Sequence, residues 1–387
     1  MQPPRTLHHA APVGPTPGVL PRPVIPPLDR AVPRPAVVHK AEPSPHCGVP
    51  ACQHRRMPPE PEPLPPVLHR SALIAAGYTD NEIRSSTRNG AWATLHRGTY
   101  CAADSLPTMS PEQVHRLRAR GVAARSPHLV LSHLSAAAVL RLPIWGARLD
   151  AVQLTRIGDG GGRIGPGRVV HAAHLEPDEV TTSAGVPVTG VARTLVDLAC
   201  TVPFTTTVIA ADFALHHRLV APADLARALT GTRHRRGAAG ARRALLFADG
   251  RSESPGESRT RVAMAEFGLP APILQVRVYG PTGTFIGRTD LGYPELGVLF
   301  EFDGLVKYRK LLRPGEEPSD VVVAEKRRED LIRDMGFVVV RLRWAELDDP
   351  VALLAKINSG IARGRRVVGA GGILGSWAAD PPLRIPG

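Results

Sequence analysis

Proline placement sets the first limit on what this chain can fold into. Twenty of its 40 prolines fall within residues 1–70. A proline every three or four residues removes backbone donors and bars helix interiors, so neither a helix nor a central strand can run through this stretch. Residues 1–69 therefore read as a disordered, polyproline-type tail. Inside it, His46, Cys47, Cys52 and His54 offer the side chains of a zinc site. All four lie within nine residues, with no folded segment between the pairs. A solvated tail is the preferred reading.

The remaining length suits about two domains. The net charge of +13 points to a polyanionic partner, nucleic acid ahead of an anionic membrane. An Arg- and Ala-rich composition of the kind a GC-rich genome produces accounts for the same charge without a partner. No run of about 20 apolar residues is present, so no spanning helix and no membrane partner are expected. The opening MQPPRTLHHA leads into prolines rather than an apolar run, which reads against a secretory leader. Four scattered cysteines do not make a disulfide framework in a chain this long. A cytoplasmic protein is the expectation; its oligomeric state is not legible.

Local signals divide the rest. Leu73, Ile74 and Ile83 fit two short helices broken at Gly77-Tyr78-Thr79. Thr79 with Glu82 three residues on has capping-box spacing, and the second helix runs from about Asp80 to Arg88. Two short strands follow across Trp92–Tyr100, turning near His96-Arg97-Gly98. Helix, turn, helix and β-wing make a winged helix-turn-helix over 70–108, with Arg84, Arg88 and Arg97 as nucleic-acid contacts. Residues 109–250 read as an α/β middle region. It has paired strands at 152–155 and 169–171, a glycine-rich hairpin loop between them, and several helices. Its Arg116, Arg118, Arg120, Arg233, Arg235 and Arg236 are further phosphate contacts. Residues 251–362 read α-β-β-β-α-β with a mixed sheet, and 363–387 as a flexible tail. The whole is a multidomain α/β chain.

The last of these regions carries the chemistry. Glu301 and Asp303 are two apart on one strand and share a face. The preceding hairpin brings Asp290 alongside. Crowded carboxylates raise each other's pKa unless a cation is present. An all-oxygen set suits Mg²⁺ or Mn²⁺, so Asp290, Glu301 and Asp303 are the metal-ligand candidates. Glu257 joins from the preceding helix, where Ser254-Pro255-Gly256-Glu257 is also a capping pattern. Lys307 and Lys326 are candidates for stabilising charge at a phosphate. An ordinary solvated helix face with i,i+3 and i,i+4 pairs is the preferred reading of Lys326, Arg327 and Arg328.

On Glu257, Asp290, the strand Val298–Gly304, Lys307-Tyr308, Glu325–Arg328 and Gly336–Arg341, residues 251–362 resemble the PD-(D/E)XK nuclease superfamily, in the branch similar to very-short-patch-repair endonucleases. Residues 71–100 resemble the winged-helix region of AbiEi-type antitoxins, in the pattern Gly77-x-Thr79, Ile83-Arg84, Gly90-x-Trp92 and His96-Arg97-Gly98-x-Tyr100. The helix opening at Ser132-His133-Leu134-Ser135 is similar to the segment that follows in those proteins. Together they look like an actinobacterial-type fusion. The resemblance implies a DNA-binding protein with a Mg²⁺-dependent endonuclease domain that hydrolyses phosphodiester bonds. The superfamily pattern has lysine two residues after its second acidic residue, where this chain has Asp303. The alternative is therefore a non-catalytic, antitoxin-like transcriptional regulator with an inactive nuclease fold and a cognate toxin as partner. A third reading is an RNA- or protein-binding scaffold.

Overall fold

A computed structural model describes residues 64–157, 161–183, 185–232, 235–304 and 318–385. The Cys/His group of the proline-rich stretch and Lys307 lie outside the described residues. Regular structure begins at β1 (Leu68–His69), just inside the expected tail. Helices α1 (Arg70–Ala75) and α2 (Asp80–Arg88) follow, then strands β2 (Trp92–His96) and β3 (Thr99–Ala102). These strands form a sheet in the order β1-β3-β2. The capping box forms as its spacing requires. The Glu82 amide donates to Thr79 Oγ1 at 3.3 Å, and the Thr79 amide donates to Glu82 Oε2 at 2.7 Å. The helix pair is held by little apolar burial, Leu73 and Ile83. Leu95 and Cys101 pack instead on Leu117 of the next helix.

That helix, α3 (Pro111–Ala123), opens the middle region. Next come β4 (Leu129–Leu131), α4 (His133–Val139), β5 (Val152–Arg156), β6 (Arg163–Gly165) and β7 (Arg168–Ala172). Strands β8 (Val180–Ser183) and β9 (Val186–Thr189) complete a sheet ordered β6-β7-β5-β4-β9-β8. Helices α5 (Val191–Thr201), α6 (Phe204–His216), α7 (Pro222–Thr230) and α8 (Ala238–Phe247) then form a helical layer. One expectation is corrected here. Strands β5 and β7 are paired, but in parallel, so the connection between them is no simple hairpin loop. The hairpin is β6–β7, with Gly165 opposite Arg168 across Pro166-Gly167. Gly167 takes φ +64° there, a conformation other residues rarely adopt.

The third region is built on α9 (Pro255–Glu266), β10 (Ile273–Tyr279), β11 (Phe285–Tyr293) and β12 (Val298–Phe302). It continues through α10 (Pro318–Asp334), β13 (Val338–Leu342), α11 (Trp344–Leu347), α12 (Pro350–Gly369) and β14 (Ser376–Ala378). The sheet runs β13-β12-β11-β10-β14, parallel only between β12 and β13. One face packs Phe300, Phe302 and Leu291 against Ile357 of α12. The other packs Val276, Val278 and Leu299 against Ile332 of α10.

The C-terminal segment departs from the flexible tail expected over 363–387. Helix α12 runs to Gly369, β14 pairs with β10, and Ile385 is buried in the helical layer of the middle region. The Gly250 amide donates to the Leu383 carbonyl at 2.8 Å. Without β14, β10 would expose a row of unpaired backbone groups. The tail satisfies that edge.

Candidate active site

Ser254 caps α9 with its hydroxyl, accepting from the Glu257 amide at 3.2 Å and donating to Glu257 Oε1 at 2.7 Å. The Glu253 amide donates to Glu257 Oε2 at 2.9 Å. The capping role of Glu257 is thus real, and a second role accompanies it. Glu257 is 1% exposed and accepts from Gln275 Nε2 at 3.1 Å, which ties α9 to strand β10.

Gln275 is the residue that sequence reasoning missed. It adopts φ +53°, which costs roughly 1–3 kcal/mol for a non-glycine residue and persists only where the surroundings enforce it. The strand changes faces at this point. Leu274 packs with Phe300 and Ile357, whereas Val276, two residues on, packs with Ile332 and Phe337. Across the ladder, Leu274 pairs with Leu291 and Val276 with Thr289, which sets Gln275 opposite Asp290. Gln275 Oε1 is buried without a hydrogen-bond partner among the described residues, an arrangement that calls for an explanation. A glutamine in an apolar strand, Ile273-Leu274-Gln275-Val276, was the available signal.

Asp290 sits where β11 and β12 part. Their last pair is Leu291 with Phe300. Beyond it, Asp290 Oδ2 accepts from the Phe302 amide at 2.7 Å, replacing the backbone bond the ladder no longer makes. Glu301 lies next to this gap, 8% exposed. Burial raises its pKa, opposed by the attraction and hydrogen bond of Arg328 and reinforced by the charges of Glu325 and Asp290. Asp290 and Glu301 are therefore brought together as expected. Asp303 is not brought in with them as a third ligand: its Oδ2 stands 3.9 Å from Arg343 Nε. Among the described residues, no group of three or more His, Cys, Asp or Glu side chains is placed to hold a metal ion.

The cation at this site is also different from the one expected. Lys326 is exposed on α10. Arg328, two residues on, donates from Nη2 to Glu301 Oε1 at 2.7 Å and from Nη1 to the Arg288 carbonyl at 2.7 Å. Its Nε donates to Glu325 Oε2 at 3.0 Å. The arginine stem crosses β11 at Gly287, where an added Cβ would lie 3.0 Å from Arg328 Cγ. Arg341 Nε stands 3.8 Å from Glu301 Oε2.

An aromatic cluster backs the carboxylates. The Phe302 ring, between Glu301 and Asp303, stands edge-on to Trp344 at 4.8 Å. Trp344 stacks on Trp145 of the middle region at 5.0 Å, with the Arg259 guanidinium 4.9 Å from the Trp145 ring.

Of the expected nucleic-acid contacts, Arg84, Arg88 and Arg97 are exposed. Two of the middle-region arginines are engaged internally. Arg116 Nε donates to the Ala138 carbonyl at 2.9 Å, and Arg235 pairs with the buried Asp197 at 2.7 Å. Arg233 lies outside the described residues.

No protein-family model matches the chain. It is similar to an uncharacterized protein of Mycobacterium tuberculosis, named Rv2248 in one strain and MT2308 in another, at 30% identity over 155 residues. That stretch is 40% of this chain, and it spans 54% of the length of those relatives. Among solved structures, the RV2827C protein of Mycobacterium tuberculosis matches with a TM-score of 0.31 and 17% identity over 54% of this chain and 74% of that one. That likeness is too weak to bear on fold or function.

Proposed function

We propose that this chain is a DNA-binding protein whose C-terminal α/β region hydrolyses phosphodiester bonds with a divalent cation held by Asp290 and Glu301. The observation that carries the proposal is Gln275. A strained, buried glutamine opposite Asp290, locked to Glu257 and with a free acceptor oxygen, is what a preorganised site needs and what a plain sheet core does not. Two adjacent carboxylates fit Mg²⁺, which keeps several waters and takes one or two protein carboxylates. A divalent cation bound there supplies Lewis acidity and a water of lowered pKa. The chain's own groups do the rest. Asp290 and Glu301 hold the cation. Glu257 fixes Gln275, whose Oε1 orients the attacking water. Arg328, reaching Glu301 from α10, supplies the cation beside the developing phosphoryl charge. In the N-terminal region, α2 acts as the reading helix of a winged helix, presenting Arg84 and Arg88 from one face to the major groove.

One observation favours the second reading, a non-catalytic antitoxin-like regulator with a toxin partner. The ion pair between Arg328 and Glu301 already neutralises the carboxylate that a cation would need.

Nicking of supercoiled plasmid by the purified chain, with Mg²⁺ or Mn²⁺ against EDTA, separates the two. Metal-dependent cleavage is expected, and Asp290→Asn should lower it by orders of magnitude while leaving DNA affinity intact. Arg84→Ala with Arg88→Ala should weaken affinity without touching Asp290. DNA binding with no cleavage under either metal would select the regulator.

A further inference from the structure

Three arginines of the middle sheet share a face. Arg156 ends β5, Arg163 opens β6 and Arg168 opens β7. Arg168 is opposite Val152, and Arg156 is opposite Ala172. Arg163 is opposite Val170, which is itself opposite Leu154. Opposed residues share a face, and alternate residues along a strand return to it. All three arginines therefore belong to the face of Val152, Leu154 and Val170. Its inner part is closed by Ala119 and Val122 of α3, and the arginines occupy its rim. Four residues of strand separate the Arg168 row from the Arg156 row, about 13 Å.

Among the described residues, the acidic groups nearest them are already paired with other arginines. Arg193 pairs with Glu179 and Asp197, and Arg235 pairs with Asp197. Among the described residues, no carboxylate pairs with Arg156, Arg163 or Arg168. The hairpin carrying two of them also abuts the N-terminal region. An added Cβ on Gly167 would lie 3.9 Å from the His96 ring, next to exposed Arg97. A crease of about 140 Å³ between the two regions is lined by residues that include His96, Arg118 and Gly167, with one acidic side chain, Asp150, which pairs with Arg148. The basic face is thus continuous with the turn that carries Arg97.

We infer that the β5–β7–β6 face is a second DNA-contacting surface, on which Arg156, Arg163 and Arg168 hold the phosphate backbone of a duplex beside the segment met by α2. The inference rests on the DNA-binding part of the proposed function. Phosphate rather than base contact follows from the placement. The arginines lie on the rim of a sheet face, spread over about 13 Å, and are suited to register and orientation rather than to sequence readout. The opposite face of the same hairpin carries Ile164, 83% exposed, on an edge strand. A protein partner or second copy would use that side.

The test is a titration of a fluorescent duplex by anisotropy across a salt series. It uses wild type, the triple variant Arg156→Ala/Arg163→Ala/Arg168→Ala, and the same three positions changed to Lys. Each phosphate contact contributes about 0.9 to the log–log salt slope, so the alanine triple should lower the slope by about 2–3. The lysine triple should retain most of it, and the melting temperature should not move. Affinity for unrelated duplexes should fall by a common factor. Wild type with no salt-dependent affinity would sink the DNA reading itself. Wild-type affinity with an unchanged slope in the alanine triple would overturn this inference alone. So would a dimer, seen by sedimentation, that Ile164→Ser dissolves while the alanine triple leaves the slope untouched.

Discussion

Gly256→Ala is the smallest change that should reach the candidate site. Gly256 occupies the first turn of α9, directly under the Phe302 ring. A Cβ there would lie 2.5 Å from Phe302 Cζ, and closer still to Cε1 and Cδ1. Ordinary carbon contacts lie at about 3.5–4.0 Å, so the ring or the helix must move by at least about 1 Å. The ring has little room to yield. Phe302 is 3% exposed and is met edge-on by Trp344. Overpacking of this kind costs about 1–3 kcal/mol. The gain in helix propensity, up to about 1 kcal/mol in a helix interior, is smaller in a first turn. A net loss of about 2 kcal/mol corresponds to a drop of about 4–8 °C in melting temperature if the regions around the site melt as a cooperative unit of about 150–250 residues. Because Phe302 lies between Glu301 and Asp303 and its amide binds Asp290, the proposed cleavage should fall along with stability. The control is Phe302→Ala, which removes the ring atoms that collide, Cδ1, Cε1 and Cζ. In a double-mutant cycle by thermal or urea denaturation, Gly256→Ala should be nearly neutral in the Phe302→Ala background, a coupling of about 1–3 kcal/mol. A single mutant that melts with wild type, or a cycle that is simply additive, would refute the packing described here.

Two further outcomes follow from the same geometry. Burial outweighs Arg328 at Glu301 and raises its pKa. The folded state therefore holds this proton more tightly than the unfolded chain, and the associated stability is lost as pH rises through the folded value. Glu301→Gln cannot ionise, so it should melt level with or above wild type at neutral pH, with the gap closing as pH falls toward the ordinary glutamate range. A drop of about 6 °C or more at pH 7 would mean that the pair with Arg328 dominates, since breaking a buried pair costs about 3–5 kcal/mol. Truncation after Gly375 removes β14 and buried Ile385. It should destabilise the fold measurably in a thermal melt, and an unchanged melt would restore the flexible-tail expectation.

What the sequence determined by itself was local. Thr79 with Glu82, and Ser254-Pro255 with Glu257, start helices through bonds that close within three residues, and both form as spaced. Strand β10 runs from Ile273 to Tyr279, as its apolar run and flanking turns indicate. The nearness of Asp290 to Glu301 was legible because a short turn sets the register of the hairpin that joins them. Tertiary structure decided what depends on distant partners. The parallel pairing of β5 with β7, the seating of β14 on β10, and the burial of Ile385 in a helical layer more than 130 residues away in sequence leave no local signal. They answer the need of an edge or a core to be covered. Gln275 is the sharpest case. Nothing in Ile273-Leu274-Gln275-Val276 prescribes a left-handed φ; the strand takes it because Leu274 and Val276 must enter different cores. Likewise Lys326 and Arg328 stand about 200° apart around the helix, and the packing of α10 over Gly287 decides that the Arg328 side is the one turned toward Glu301.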